Sequence, residues 1–128
     1  MTVTSIEQGR KLLALGLGPE TADMAYVNWT SLHADRYVDV VGELGENNGV
    51  VPCWSAETLM ALMAADSDKT VSLESNIEED GTLYHELTFS DRWRGTEHDE
   101  VSSETENLAD VCFRMMVWLL ENGILKNQ

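Results

Sequence analysis

The sequence predicts an α+β domain, a small antiparallel sheet with helices packed on one face, in the order α, β, β, α, β, β, α. Three observations lead there. Apolar residues recur at helical spacing near both ends and once in the middle, and each run opens on a capping residue. Between the middle and last runs the apolar period falls to two, with a turn signal at its centre. The 128 residues, 43% hydrophobic and 24% charged, have ordinary globular composition and suffice for one core, so residues 1–128 read as a single domain.

Ser5 opens the first helix as its cap, and Gln8 completes a capping box. Leu12, Leu13 and Leu15 supply its apolar face, Gly16 ends it, and Leu17 folds back onto it. Gly18-Pro19 begins a short turn or helix running through Glu20 to Met24, with Pro19 at its first position. Weaker strand signals cover residues 25–29 and 37–41, and Glu46-Asn47-Asn48-Gly49 marks a turn or loop. After Pro52-Cys53-Trp54, Ser55 caps a further helix with Leu59, Met60, Leu62 and Met63 on its buried side.

Next come two alternating runs, Val71, Leu73, Ser75, Ile77 and Leu83, His85, Leu87, Phe89, joined by Glu79-Asp80-Gly81. This is a hairpin, and its outer face carries Glu74, Glu86 and Thr88. The last helix has Leu108, Val111, Cys112, Met115 and Leu119 in one stripe, widened by Phe113, Met116, Val117, Trp118 and Leu120. Ser103 with Glu106 offers its capping box, with Thr105 and Asn107 as competing caps. Gly123 and Ile124 mark a Schellman end.

The formal charge is −15, and residues 74–110 hold two thirds of it, with twelve acids against Arg92 and Arg94. A surface this acidic repels nucleic acid and anionic membrane and favours cations or basic proteins, or serves solubility alone. No apolar run approaches the roughly 20 residues of a membrane span, and the N-terminus lacks a secretory pattern. Cys53 and Cys112 stand apart in apolar contexts and read as buried thiols of a cytoplasmic protein. The Asn28-Trp29-Thr30 sequon carries no weight without a secretion signal.

The common catalytic patterns fail on named residues. Gly16-Leu17-Gly18 ends a helix and has Thr21 where a dinucleotide fingerprint needs glycine. Asp66-x-Asp68-x-Thr70 has Val71 and Ile77 where a calcium loop needs glycine and a bidentate carboxylate. There is no P-loop lysine, GxSxG elbow or HExxH pair. His85 reads as a strand residue. His98, flanked by Glu97, Asp99 and Glu100, offers either a divalent-cation cluster or a solvated acidic loop, and His33-x-Asp35 is a weaker pair of the same kind. Trp54 and Trp118 fit apolar patterns. Trp93, between Arg92 and Arg94, reads either as an exposed interaction residue or as a ring tucked under the hairpin.

Ser5-Ile6-Glu7-Gln8-Gly9, Lys11-Leu12-Leu13, Leu15-Gly16-Leu17 and Pro19-Glu20-Thr21-Ala22-Asp23-Met24 resemble the opening of a group of small uncharacterised phage and prophage proteins of gut bacteria. Pro52-Cys53-Trp54-Ser55 resembles their middle, and Trp118-Leu119-Leu120-Glu121-Asn122-Gly123 their end. The resemblance implies mobile-element origin and a compact α+β domain, and it brings no catalytic residue.

The expected function is therefore non-enzymatic binding of a basic host protein, without cofactor or metal, through Glu78, Glu79, Asp80, Trp93, Glu97, Asp99 and Glu100. In its sharper form the acidic face imitates nucleic-acid phosphates. Two rivals stand beside it: a homo-oligomer packed through the apolar last helix, and a metal-dependent enzyme around His98.

Overall fold

The computed structural model describes residues 2–27, 31–33 and 49–125. Helix α1 (Ile6–Ala14) leads through a 3-10 turn (Pro19–Thr21) to β1 (Met24–Val27), β2 (Ser31–His33) and β3 (Val51–Cys53). Helix α2 (Ala56–Met63) follows, then β4 (Lys69–Ile77), β5 (Leu83–Asp91), β6 (Thr96–Val101) and helix α3 (Leu108–Glu121). The class is α+β, as the sequence predicts. The expected 37–41 strand, Trp29, and residues 46–48 of the expected turn lie outside the described residues.

Two features differ from expectation. The strands form two three-stranded antiparallel sheets, β2-β1-β3 and β4-β5-β6, where one sheet was expected. Strand β3 is only three residues long and buried at every position, so it shows no alternation to read. Residues 96–101, expected as an acidic loop, form strand β6, paired with β5 from Asp91↔Thr96 to Glu86↔Val101.

The helix ends follow their capping chemistry. At α1 the Ser5 Oγ accepts from the Gln8 N–H at 3.1 Å, and Gln8 Oε1 accepts from the Ser5 N–H at 2.8 Å. Leu17 N–H donates to Leu12 O at 3.0 Å past Gly16, whose φ is 99°. Helix α3 ends the same way: Ile124 N–H donates to Leu119 O at 3.0 Å past Gly123, at φ 66°. Such left-handed positions favour glycine. The α3 cap is Asn107, one of the competing residues, boxed with Asp110. Ser103 and Glu106 stand before the helix start: Glu106 Oε1 accepts from the Ser103 N–H at 2.8 Å and also pairs with Arg114, in a turn that precedes Asn107. The two boxes touch, since Gln8 Nε2 donates to Asp110 Oδ1 at 2.9 Å.

The core lies between α1, α2, α3 and the inner face of the second sheet, with Leu12, Trp54, Leu59, Met63, Leu87, Phe89, Met115 and Leu119 all buried. The chain's start is sewn to the segment before α2. Thr4 N–H donates to Trp54 O at 3.0 Å, and Thr4 Oγ1 accepts from Trp54 N–H at 3.0 Å. This holds α1 against β3 and leaves the second sheet to extend from the core.

Candidate functional site

The register of the second sheet sorts its side chains into two faces. Val71 pairs with Phe89, Leu73 with Leu87, Ser75 with His85 and Ile77 with Leu83, so the two apolar alternations fall on one side. That inner side meets the helices. Phe89 pairs with His98 and Leu87 with Glu100, so these β6 residues join it. The other side, the outer face, carries Glu74 opposite Glu86, with Val101 beyond, and then Ser72, Thr88 and Asp99, followed by Thr70, Ser90 and Glu97.

Four carboxylates thus share the outer face, and no lysine or arginine from β4, β5 or β6 lies on it. Glu74, Glu97 and Asp99 are exposed, and Glu86, on the central strand, is half-buried. Directly opposed residues such as Glu74 and Glu86 have Cβ atoms about 5 Å apart, and like charges there are unfavourable. Glu97 and Asp99 stand two residues apart along one strand, roughly 7 Å.

The hairpin turn extends this acidity. Thr82 N–H donates to Asp80 Oδ1 at 2.9 Å, and Glu78 N–H donates to Thr82 O at 2.9 Å. The backbone hydrogen bond from Thr82 lowers the Asp80 pKa, so it holds its charge further into acid. Burial and then the negative charges of Glu104, Asp80 and Glu78 raise the pKa of the Tyr84 phenol. An open groove of about 700 Å³ lies here, lined by Asn76, Glu78, Asp80, Tyr84, Glu86 and Val101 among others.

Glu100 leaves the predicted set. It lies on the inner face, where Arg114 of α3 donates to it and His98 Nε2 lies 2.5 Å from its Oε2. Arg114 also grips Glu106 through two bonds, at 2.9 and 3.1 Å, and donates to Val101 O at 2.7 Å. The His98 ring stacks on Trp118 with centroids 3.9 Å apart and 2° between planes. Glu97 and Asp99 project from the opposite side of β6, so the alternation of a strand separates them from His98. Among the described residues no group of three or more His, Cys, Asp or Glu side chains is placed to hold a metal ion.

Trp93 sits in the β5–β6 turn at the far end of β5 from Glu78, Glu79 and Asp80, roughly 30 Å away along nine strand residues. The residue is 85% exposed, so it is not tucked under the hairpin. Buried Asp91 shapes the turn, accepting from the N–H groups of Trp93 at 3.0 Å and Arg94 at 3.3 Å. Arg94 then donates to Gly123 O at 3.3 Å, so it serves the end of α3. The seven predicted residues therefore split into a turn cluster, two outer-face acids, an inner-face ion pair and a distant tryptophan.

The cysteines are buried, unpaired thiols. Burial, reinforced by Asp23 at Cys53 and Glu57 at Cys112, pushes both pKa values up to about 12. Phe113, Val117 and Trp118 of α3 are half-buried within the chain. Among the described residues, the exposed large apolar side chains are Leu73, Ile77, Leu83, Val101 and Trp93, all in the second sheet or its turn. No helix of the described residues is long and apolar enough to cross a membrane.

Two outer-face members, Glu74 and Glu86, stand outside the predicted set although the hairpin alternation already puts them on one side. What hid β6 is its composition. Thr96, Glu97, His98, Asp99 and Glu100 are all polar, and their alternation is between Arg114- and Trp118-facing groups and solvent. Set against protein-family models, curated proteins and solved structures, the chain matches none.

Proposed function

We propose that this chain is a non-enzymatic, cytoplasmic, phage- or prophage-type protein that binds a basic protein through the outer face of its second sheet. The observation that carries this reading is the registered set Glu74, Glu86, Glu97 and Asp99, with no lysine or arginine of the three strands on their face and Glu78, Glu79 and Asp80 at its end. Opposed like charges are unfavourable for the sheet itself. They become favourable when Lys or Arg from another molecule lies over them. A strand holds its carboxylates roughly 7 Å apart on one face. Successive phosphates on one DNA strand advance about 3.4 Å along the axis and also step around it, so a row of carboxylates at this interval is of the same scale as the backbone's own charge spacing. The face therefore suits a groove built for a nucleic-acid backbone.

The test is capture from a host lysate at low salt, followed by purification of the retained protein. It should be basic, be displaced by duplex DNA, and dissociate as the Debye length falls from about 10 Å at 0.1 M salt to about 3 Å at 1 M. A Glu74→Lys/Glu97→Lys/Asp99→Lys variant should not retain it. Retention that ignores both salt and these three reversals refutes the reading, as does no retention at all.

A further inference from the structure

On the inner side of the second sheet the helical layer stops short. Helix α3 meets β5 and β6, and α2 meets β4, burying Leu87 and Phe89. Toward the hairpin turn that cover ends among the described residues. Ile77 is 75% exposed, its cross-strand partner Leu83 47%, and Leu73 on the same side 41%. Beside them an open groove of about 880 Å³ runs from Leu83 and His85 to Leu108 at the start of α3. Its acidic lining is Glu57, Glu104 and Glu106, and no lysine or arginine lines it among the described residues. Arg114 already neutralises Glu106, whereas Glu57 and Glu104 are exposed.

A sheet face of this kind is normally closed by a packed layer, and clustered exposed apolar side chains mark where another chain docks. The rim selects the occupant. A second copy would bring a further −15 of charge against the same carboxylates. The geometry points to an amphipathic, basic helix of another protein. It would lay apolar residues on Leu73, Ile77 and Leu83, set Lys or Arg against Glu57 and Glu104, and continue the layer begun by α2 and α3. This surface is separate from the outer acidic face and does not depend on what binds there.

The probe is a Leu/Lys peptide patterned as an amphipathic helix of about five turns, with a scrambled peptide of the same composition as control. Methyl NMR spectra follow the titration. The patterned peptide should shift the Leu73, Ile77 and Leu83 methyls and bind at least about tenfold tighter than the scrambled one. An Ile77→Ser/Leu83→Ser variant should lose that preference. Its two sites are solvent-exposed, and the methyl map in the unaltered protein decides the question if it folds poorly. Reversing Glu74, Glu97 and Asp99 should leave the preference intact. Equal binding of both peptides, or no shift at the three methyls, overturns the inference. So do concentration-dependent shifts there without peptide, which would make the occupant a second copy.

Discussion

Gly9 lies in the middle of α1, where helix propensity alone favours alanine by about 1 kcal/mol. The structure predicts the opposite outcome for Gly9→Ala. A Cβ built on Gly9 would sit 2.2 Å from the Pro52 carbonyl oxygen, whereas real Cβ atoms essentially never come within 3.0 Å. Helix α1 would have to retreat from β3 by the difference, about 0.8 Å. That retreat strains the Thr4–Trp54 hydrogen bonds and loosens the packing of Leu12, which is fully buried. Overpacking of this kind costs about 2–3 kcal/mol, so after the propensity gain the net loss is about 1–2 kcal/mol. For a domain of this size that lowers Tm by about 4–8 °C. Thermal unfolding followed by far-UV circular dichroism reads the sign directly. A rise of about 4 °C, the propensity result, would refute the close approach of α1 to β3.

Other outcomes follow from the same contacts. Thr4→Val keeps the shape but removes the acceptor for the buried Trp54 N–H, and urea denaturation should show a loss of about 1–3 kcal/mol. The Glu106 carboxyl is held below its ordinary pKa by the Ser103 N–H and then by Arg114. Its contribution is therefore fully present above the unfolded value near 4.3 and is lost as pH falls through the lower folded value. Glu106→Gln should flatten the acid limb of a stability–pH curve, and an unchanged limb would contradict this. Neither cysteine should react with a thiol reagent at pH 8 in the folded protein, because burial raises both pKa values to about 12; both should react in denaturant.

Local grammar was the legible part of this chain. Ser5-x-x-Gln8, Gly16-Leu17, Ser55 and Gly123-Ile124 act through neighbours within a few residues, so their effect is written beside them. The hairpin was legible because apolar alternation and a turn coincide. Strand β6 was not, because what makes Glu100 and His98 inward-facing is Arg114 and Trp118, far along the chain on α3. The same distance effect scattered the candidate site. Charge density along the chain joined Trp93, Glu79 and Glu100, while strand direction and parity set them at two ends and on two faces.

The contact between Gln8 and Asp110 ties together residues 102 positions apart. Each is also the closing member of its own capping box, so Ser5, Gln8, Asp110 and Asn107 form one hydrogen-bonded chain across two helix starts. Fraying at one end therefore loosens the other. In hydrogen exchange the first turns of α1 and α3 should open as one unit, with a common free energy, although nearly the whole chain lies between them.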